Sequence, residues 1–136
     1  MKVFLERVNS DYLFEVENKN GQKVLLDNSS KTSGKVEGVS PMELLLMGVA
    51  GCSAIDIIHI LKKGRHEIRS YSSEVVASRR EEMPRIFDSV ELVITVDTDA
   101  SDAVLERAVE LTKTKYCSAF AVLEASVKVG LKLQRA

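Results

Sequence analysis

The sequence predicts an α+β fold in which sheets are built around one long, apolar helix. Three observations carry this expectation. Ser40-Pro41-Met42-Glu43 is a strong helix-start signal, and it opens an apolar stretch reaching about Lys63. Two later runs alternate apolar and polar residues with the period of a strand. The elements follow the order strands, helix, strands, helix, strand, a segregation typical of α+β domains rather than of repeated βα units.

At the N-terminus Tyr12, Phe14 and Val16 alternate with Leu13, Glu15 and Glu17. Asn18-Lys19-Asn20-Gly21 then supplies turn residues before Lys23 to Asp27, so a β-meander over about residues 2 to 27 is expected. Residues 28 to 39, rich in Ser, Gly, Asn and Lys, read as a loop. In the helix that follows, Ser40 is the N-cap, Pro41 the first helical residue and Glu43 the N3 member of a capping box, with Gly64 expected at C′. Leu44, Leu45, Leu46, Met47, Val49, Ile55, Ile57, Ile58, Ile60 and Leu61 wrap nearly all of its sides, which predicts burial all round. Glu43, Asp56 and His59 argue against a membrane span. Gly48 and Gly51 permit close approach by a crossing element. Such a helix exceeds what one small chain covers, so subunit association is expected.

Residues 66 to 80 and 85 to 97 read as two long antiparallel strands joined by Glu81-Glu82-Met83-Pro84. Ser101-Asp102 caps a second helix to about Lys115, apolar on one side at Val104, Leu105, Ala108, Val109 and Leu111. A short helical turn follows from Cys117 to Glu124, and Val127 to Gln134 alternates as the last strand. No internal repeat or linker divides the chain, and a single domain over residues 1 to 136 is the expectation.

Composition narrows the function. Nineteen Lys and Arg against twenty Asp and Glu give a formal charge of −1, which offers no basic surplus for nucleic acid or anionic lipid. With no Trp and 5% aromatic residues, base stacking is also disfavoured. Lys2, Glu6 and Arg7 break the first apolar run before it resembles a signal-peptide core, so a cytoplasmic location is expected. The two cysteines, Cys52 and Cys117, are too few for a disulfide scaffold and form no Cys-x-x-Cys pair.

Chemistry therefore concentrates on these two thiols. Cys117 follows Lys113 and Lys115 at the start of a short helix, a setting that favours a thiolate. Asp56 lies one helical turn from Cys52 and His59 two turns away, so His59 does not activate Cys52 within the helix. Cys52, Asp56, His59 and Cys117 lack the usual ligand spacing of a zinc site, and neither metal nor cofactor is expected. Arg79, Arg80 and Arg85 with Glu81 and Glu82 read as a solvated hairpin tip. No phosphate-binding glycine loop, serine elbow or paired-carboxylate motif occurs.

Ser40-Pro41-Met42-Glu43-Leu44-Leu45-Leu46-Met47, Gly51-Cys52-Ser53-Ala54, Ser78-Arg79-Arg80-Glu81-Glu82-Met83-Pro84-Arg85 and Lys115-Tyr116-Cys117-Ser118 together resemble the OsmC/Ohr family, most closely its YhfA-type branch. The resemblance spans nearly the whole chain. It implies an intertwined homodimer with active sites at the subunit interface, and thiol peroxidase chemistry on small organic hydroperoxides with an external dithiol as reductant. By the match of Gly51-Cys52, Cys52 would be the peroxidatic thiol; by that of Tyr116-Cys117, Cys117 would resolve it. The family's peroxidases carry a glutamate ten residues before the first cysteine, which here falls on Met42, so the carboxylate candidate is Glu43. They also use an arginine upstream of the helix, where this chain has none between Arg7 and Arg65, leaving Lys31, Lys35, Arg79, Arg80 and Arg85 as candidate cations. The rival reading is a noncatalytic module with an apolar pocket at the dimer interface, whose thiols sense oxidants or only pack.

Overall fold

The computed structural model describes residues 1 to 136, which divide into two compact units, Met1–Leu46 and Met47–Ala136. In the first unit, β1 (Val3–Arg7), β2 (Phe14–Asn18) and β3 (Lys23–Leu26) form the expected antiparallel meander. Asn18 and Gly21, the latter with φ 82°, close the second turn through the Gly21 N–H to Asn18 carbonyl bond. The Ser- and Gly-rich segment that follows carries no helix or named strand but is pinned at several points. Val39 pairs with Leu26 in an isolated bridge. Gly38 is required there, because a Cβ would come within 2.8 Å of the Leu25 and Leu26 backbone. The buried Asp27 carboxylate accepts from the Glu37 N–H at 2.9 Å, the Asn28 N–H at 2.7 Å and Lys31 Nζ at 3.0 Å. Chiefly through the Glu37 bond, its carboxyl is held below the usual range.

Helix α1 (Pro41–Lys63) has the boundaries its cap signals predict. Its C-terminal cap is displaced by one residue from the expectation. Arg65, with φ 61°, occupies C′, its N–H bonding the Lys62 carbonyl while the His66 N–H bonds that of Leu61, the two bonds of a Schellman motif. A Cβ at Gly64 would lie 2.8 Å from the His66 ring, so a side chain there would force that ring to shift. Within the single chain α1 is buried on one face, as expected of a helix that one small chain cannot cover. Val49, Ser53, Ile57 and Leu61, spaced by four, form one buried stripe, while Ile55 is 72% exposed and Leu45 and Met47 about half exposed. A Cβ at Gly48 or Gly51 would meet nothing within 4 Å, so no element of the same chain crosses there. The physical reason is supply: a chain this small lacks the elements to cover every face of so apolar a helix.

In the second unit β4 (Ile68–Arg79) pairs antiparallel with β5 (Phe87–Thr98), as expected. β5 buries Val90, Leu92, Ile94 and Val96, the set picked out by its alternation. β6 (Val129–Arg135) lies on the other side of β5 and runs parallel to it. That direction demands a crossover, made by α2 (Asp102–Leu111), a wide π-helical turn over Thr112–Tyr116, and α3 (Ser118–Glu124). The second helical stretch ends at Tyr116, close to the expected Lys115, but its α-helical part ends at Leu111. At Cys117 the N–H reaches back five residues to the Thr112 carbonyl, at 3.0 Å, which widens the pitch before the chain turns.

Candidate functional site

Three chemically active side chains converge within the second unit. Cys52 and Asp56, four residues apart, share one face of α1, and Cys117 comes from the N-cap of α3. The two sulfurs and a carboxylate oxygen of Asp56 all lie within 4.8 Å of one another. Both cysteines are free; Cys117 is buried and Cys52 half-buried.

The π-helical turn sets the second sulfur. After it, Cys117 adopts extended backbone at φ −75°, ψ 101°, and its Sγ accepts from the Phe120 N–H at 3.4 Å, as the oxygen of a capping Ser or Asp would. The wholly buried Ser53 places its hydroxyl 3.4 Å from the same sulfur. Burial pushes the Cys117 thiol up; the bonds from Ser53 and Phe120 oppose this, and Cys52 pushes it up further. Asp56 is likewise raised by burial, against a smaller lowering by His59. Its Oδ2 is buried without any hydrogen-bond partner, an unusual state for a carboxylate oxygen.

His59 is not among the clustered donors. Glu43 Oε2 accepts the Ser40 N–H at 2.9 Å, one half of the capping box. Lys31 is paired to Asp27 at 3.0 Å and Asp11 at 3.2 Å, with its side chain only 6% exposed. Lys35 is exposed. Arg79 and Arg80 donate from Nε to the Arg85 and Pro84 carbonyls at 2.7 and 2.8 Å, bracing the hairpin tip. The sequence alone suggested Asp56 as a metal ligand only weakly, for want of ligand spacing, and gave Ser53 no role. The i, i+4 spacing of Cys52 and Asp56 was the available signal.

The Glu43 geometry has a measurable consequence. Glu43→Gln keeps an acceptor for the Ser40 N–H and should melt close to the parent, whereas Glu43→Ala should lose about 0.5–2 kcal/mol, the usual size of a lost cap. Thermal melts of both variants, read beside the rate of Cys52 oxidation, decide the role. A Gln variant as stable as the parent but with most of its oxidation rate gone would make Glu43 part of the thiol chemistry.

Comparison with known proteins adds a relationship to this geometry. A family model described as OsmC-like protein matches residues 32 to 132. The chain is 40% identical over 114 residues to Protein YhfA of Escherichia coli K12, covering 83% of this chain and 82% of that protein. A hypothetical protein from Aquifex aeolicus superposes with a TM-score of 0.86 at 30% identity, covering 99% of this chain and 95% of that one. The organic hydroperoxide resistance protein OhrB of Bacillus subtilis shares the fold at a TM-score of 0.71 and 18% identity, covering 98% and 96%.

Proposed function

The chain belongs to the OsmC-like family, and from that premise we propose that it is a cytoplasmic thiol peroxidase that reduces organic hydroperoxides through a Cys52/Cys117 disulfide. The observation that carries this reading is the convergence of its two cysteines, from separate elements, to within 4.8 Å. The shared fold with proteins named for organic hydroperoxide resistance supports the substrate class.

The Cys52 thiolate attacks the distal oxygen of the hydroperoxide; the O–O bond breaks, the alcohol leaves, and Cys52 becomes a sulfenic acid. Cys117 then attacks the Cys52 sulfur, water leaves, and a disulfide forms, which an external dithiol reduces by exchange. The half-buried Cys52 is the more accessible sulfur to peroxide, and the buried Cys117 meets only its neighbour. Ser53 and the Phe120 N–H support negative charge on Cys117 as its proton leaves.

Intact mass before and after one equivalent of cumene hydroperoxide tests the cycle. The expected result is a mass decrease of two hydrogens, restored by dithiol; an unchanged mass overturns it. The sensing reading retains one supporting observation, Met42 at the family's glutamate position with no arginine between Arg7 and Arg65. The noncatalytic reading is separated by turnover: with excess dithiol a peroxidase consumes many equivalents of hydroperoxide, and a module whose thiols only pack consumes none.

We also infer that the chain works as a homodimer. Ile55, Leu45, Met47, Phe4 and Val122 are all exposed in the single chain, and the space beside Gly48 and Gly51 is open. The α1 helix is long and apolar enough to cross a membrane by length and composition, yet Asp56 and His59 interrupt it, which favours a protein partner over lipid. An interface above about 2,000 Å² is expected, the range of obligate dimers. Sedimentation that shows a stable, folded monomer at micromolar concentration would contradict it.

A further inference from the structure

We propose that the reduced protein binds one thiophilic divalent cation, with Zn2+ as the reference, through Cys52 Sγ, Cys117 Sγ and the Asp56 carboxylate. The sequence offers no zinc signature because the third donor comes from a distant element, but the fold supplies what spacing does not. Cys52 and Asp56 stand one turn apart on one helix face, the placement that lets two side chains of a helix share a metal. Cys117 is brought to them by the turn and cap of α3.

The dimensions suit the ion. Zinc–sulfur bonds of about 2.3 Å and zinc–oxygen bonds of about 2.0–2.2 Å put tetrahedral ligands roughly 3.5–3.8 Å apart. The three donors already lie within 4.8 Å of one another, so small side-chain rotations close the set. Ser53 and the Phe120 N–H, each 3.4 Å from Cys117 Sγ, are the outer contacts that orient and stabilise a ligating thiolate. The buried Oδ2 of Asp56 has no hydrogen-bond partner within the chain, and a cation would satisfy it. Two sulfur donors select Zn2+ or Cd2+ over Mg2+ and Ca2+. Three protein ligands leave a fourth position for water, the arrangement of an open site.

Each thiol releases its proton to solvent as it ligates, and no electron is transferred. Metal and disulfide are then alternatives, since both use the same two sulfurs. This inference is independent of the peroxidase reading: a protein inert to hydroperoxide could still bind the ion, and an active peroxidase could fail to.

The test titrates Co2+, then Zn2+, into reduced, metal-free, full-length protein. The expected result is one equivalent bound, with thiolate-to-cobalt charge-transfer absorption and the intense visible bands of a tetrahedral ion, displaced by Zn2+. Protein oxidised to the disulfide with diamide should show neither. Cys117→Ser should lose the charge-transfer intensity in large part, and Asp56→Asn, isosteric and free of the buried charge, should weaken binding at least about tenfold while melting no lower than the parent. Absence of stoichiometric binding at micromolar protein overturns the proposal. So does cobalt absorption that survives oxidation, or an Asp56→Asn affinity equal to the parent's.

Discussion

Cys52→Ser should abolish hydroperoxide consumption, while Cys117→Ser should consume one equivalent and then stall with Cys52 trapped as sulfenic or more highly oxidised acid. The asymmetry follows from burial and hydrogen bonding. Cys52 is half-buried, whereas Cys117 is 3% exposed and held by Ser53 and the Phe120 N–H, so peroxide meets the first sulfur and the second meets only its neighbour. Because burial raises the Cys117 thiol pKa, the disulfide-forming step should accelerate with rising pH through and beyond the ordinary thiol range. Stopped-flow consumption of cumene hydroperoxide, with dimedone labelling of the sulfenic acid, reads both variants. Equal one-turnover bursts from the two would reverse or dissolve the assignment.

Phe120→Ala should be the most destabilising single truncation near the site. Phe120 is the largest fully buried side chain of the protein, and it sits in the first turn of the short α3 helix, where its own N–H holds Cys117 Sγ. Removing a buried aromatic ring costs about 3–5 kcal/mol, a large share of the roughly 5–15 kcal/mol that stabilises a typical domain. A fall of about 10 °C or more in the melting temperature is expected, with a smaller fall for Phe120→Leu. The Cys52–Cys117 disulfide should form more slowly in both variants, since α3 positions the second sulfur. An Ala variant melting within about 2 °C of the parent would mean that the surrounding core closes over the missing ring.

Local rules account for what the sequence alone made legible. The Ser40, Pro41 and Glu43 cap, the alternation of Val90, Leu92, Ile94 and Val96, and the helical turn after Cys117 all depend on residues a few positions apart, and the structure realises each one. The family resemblance, resting on short segments around both cysteines, was equally legible, and the match over residues 32 to 132 bears it out. Where two local outcomes differ by little, packing chose. Arg65 rather than Gly64 took the left-handed cap. The second helix gave way to a π-helical turn ahead of Cys117.

The candidate site divides along the same line. The sequence by itself determined that two free thiols exist, that one lies on a long helix with Asp56 a turn away, and that the other opens a short one. Only the tertiary structure decided which face of α1 is buried, that β6 runs parallel to β5, and that Ser53 meets Cys117 across 64 residues of chain. Periodicity and cap chemistry act over about one helical turn. Contacts between residues so far apart depend instead on how whole elements pack, and packing is a property of shapes and buried area that no short window of sequence contains.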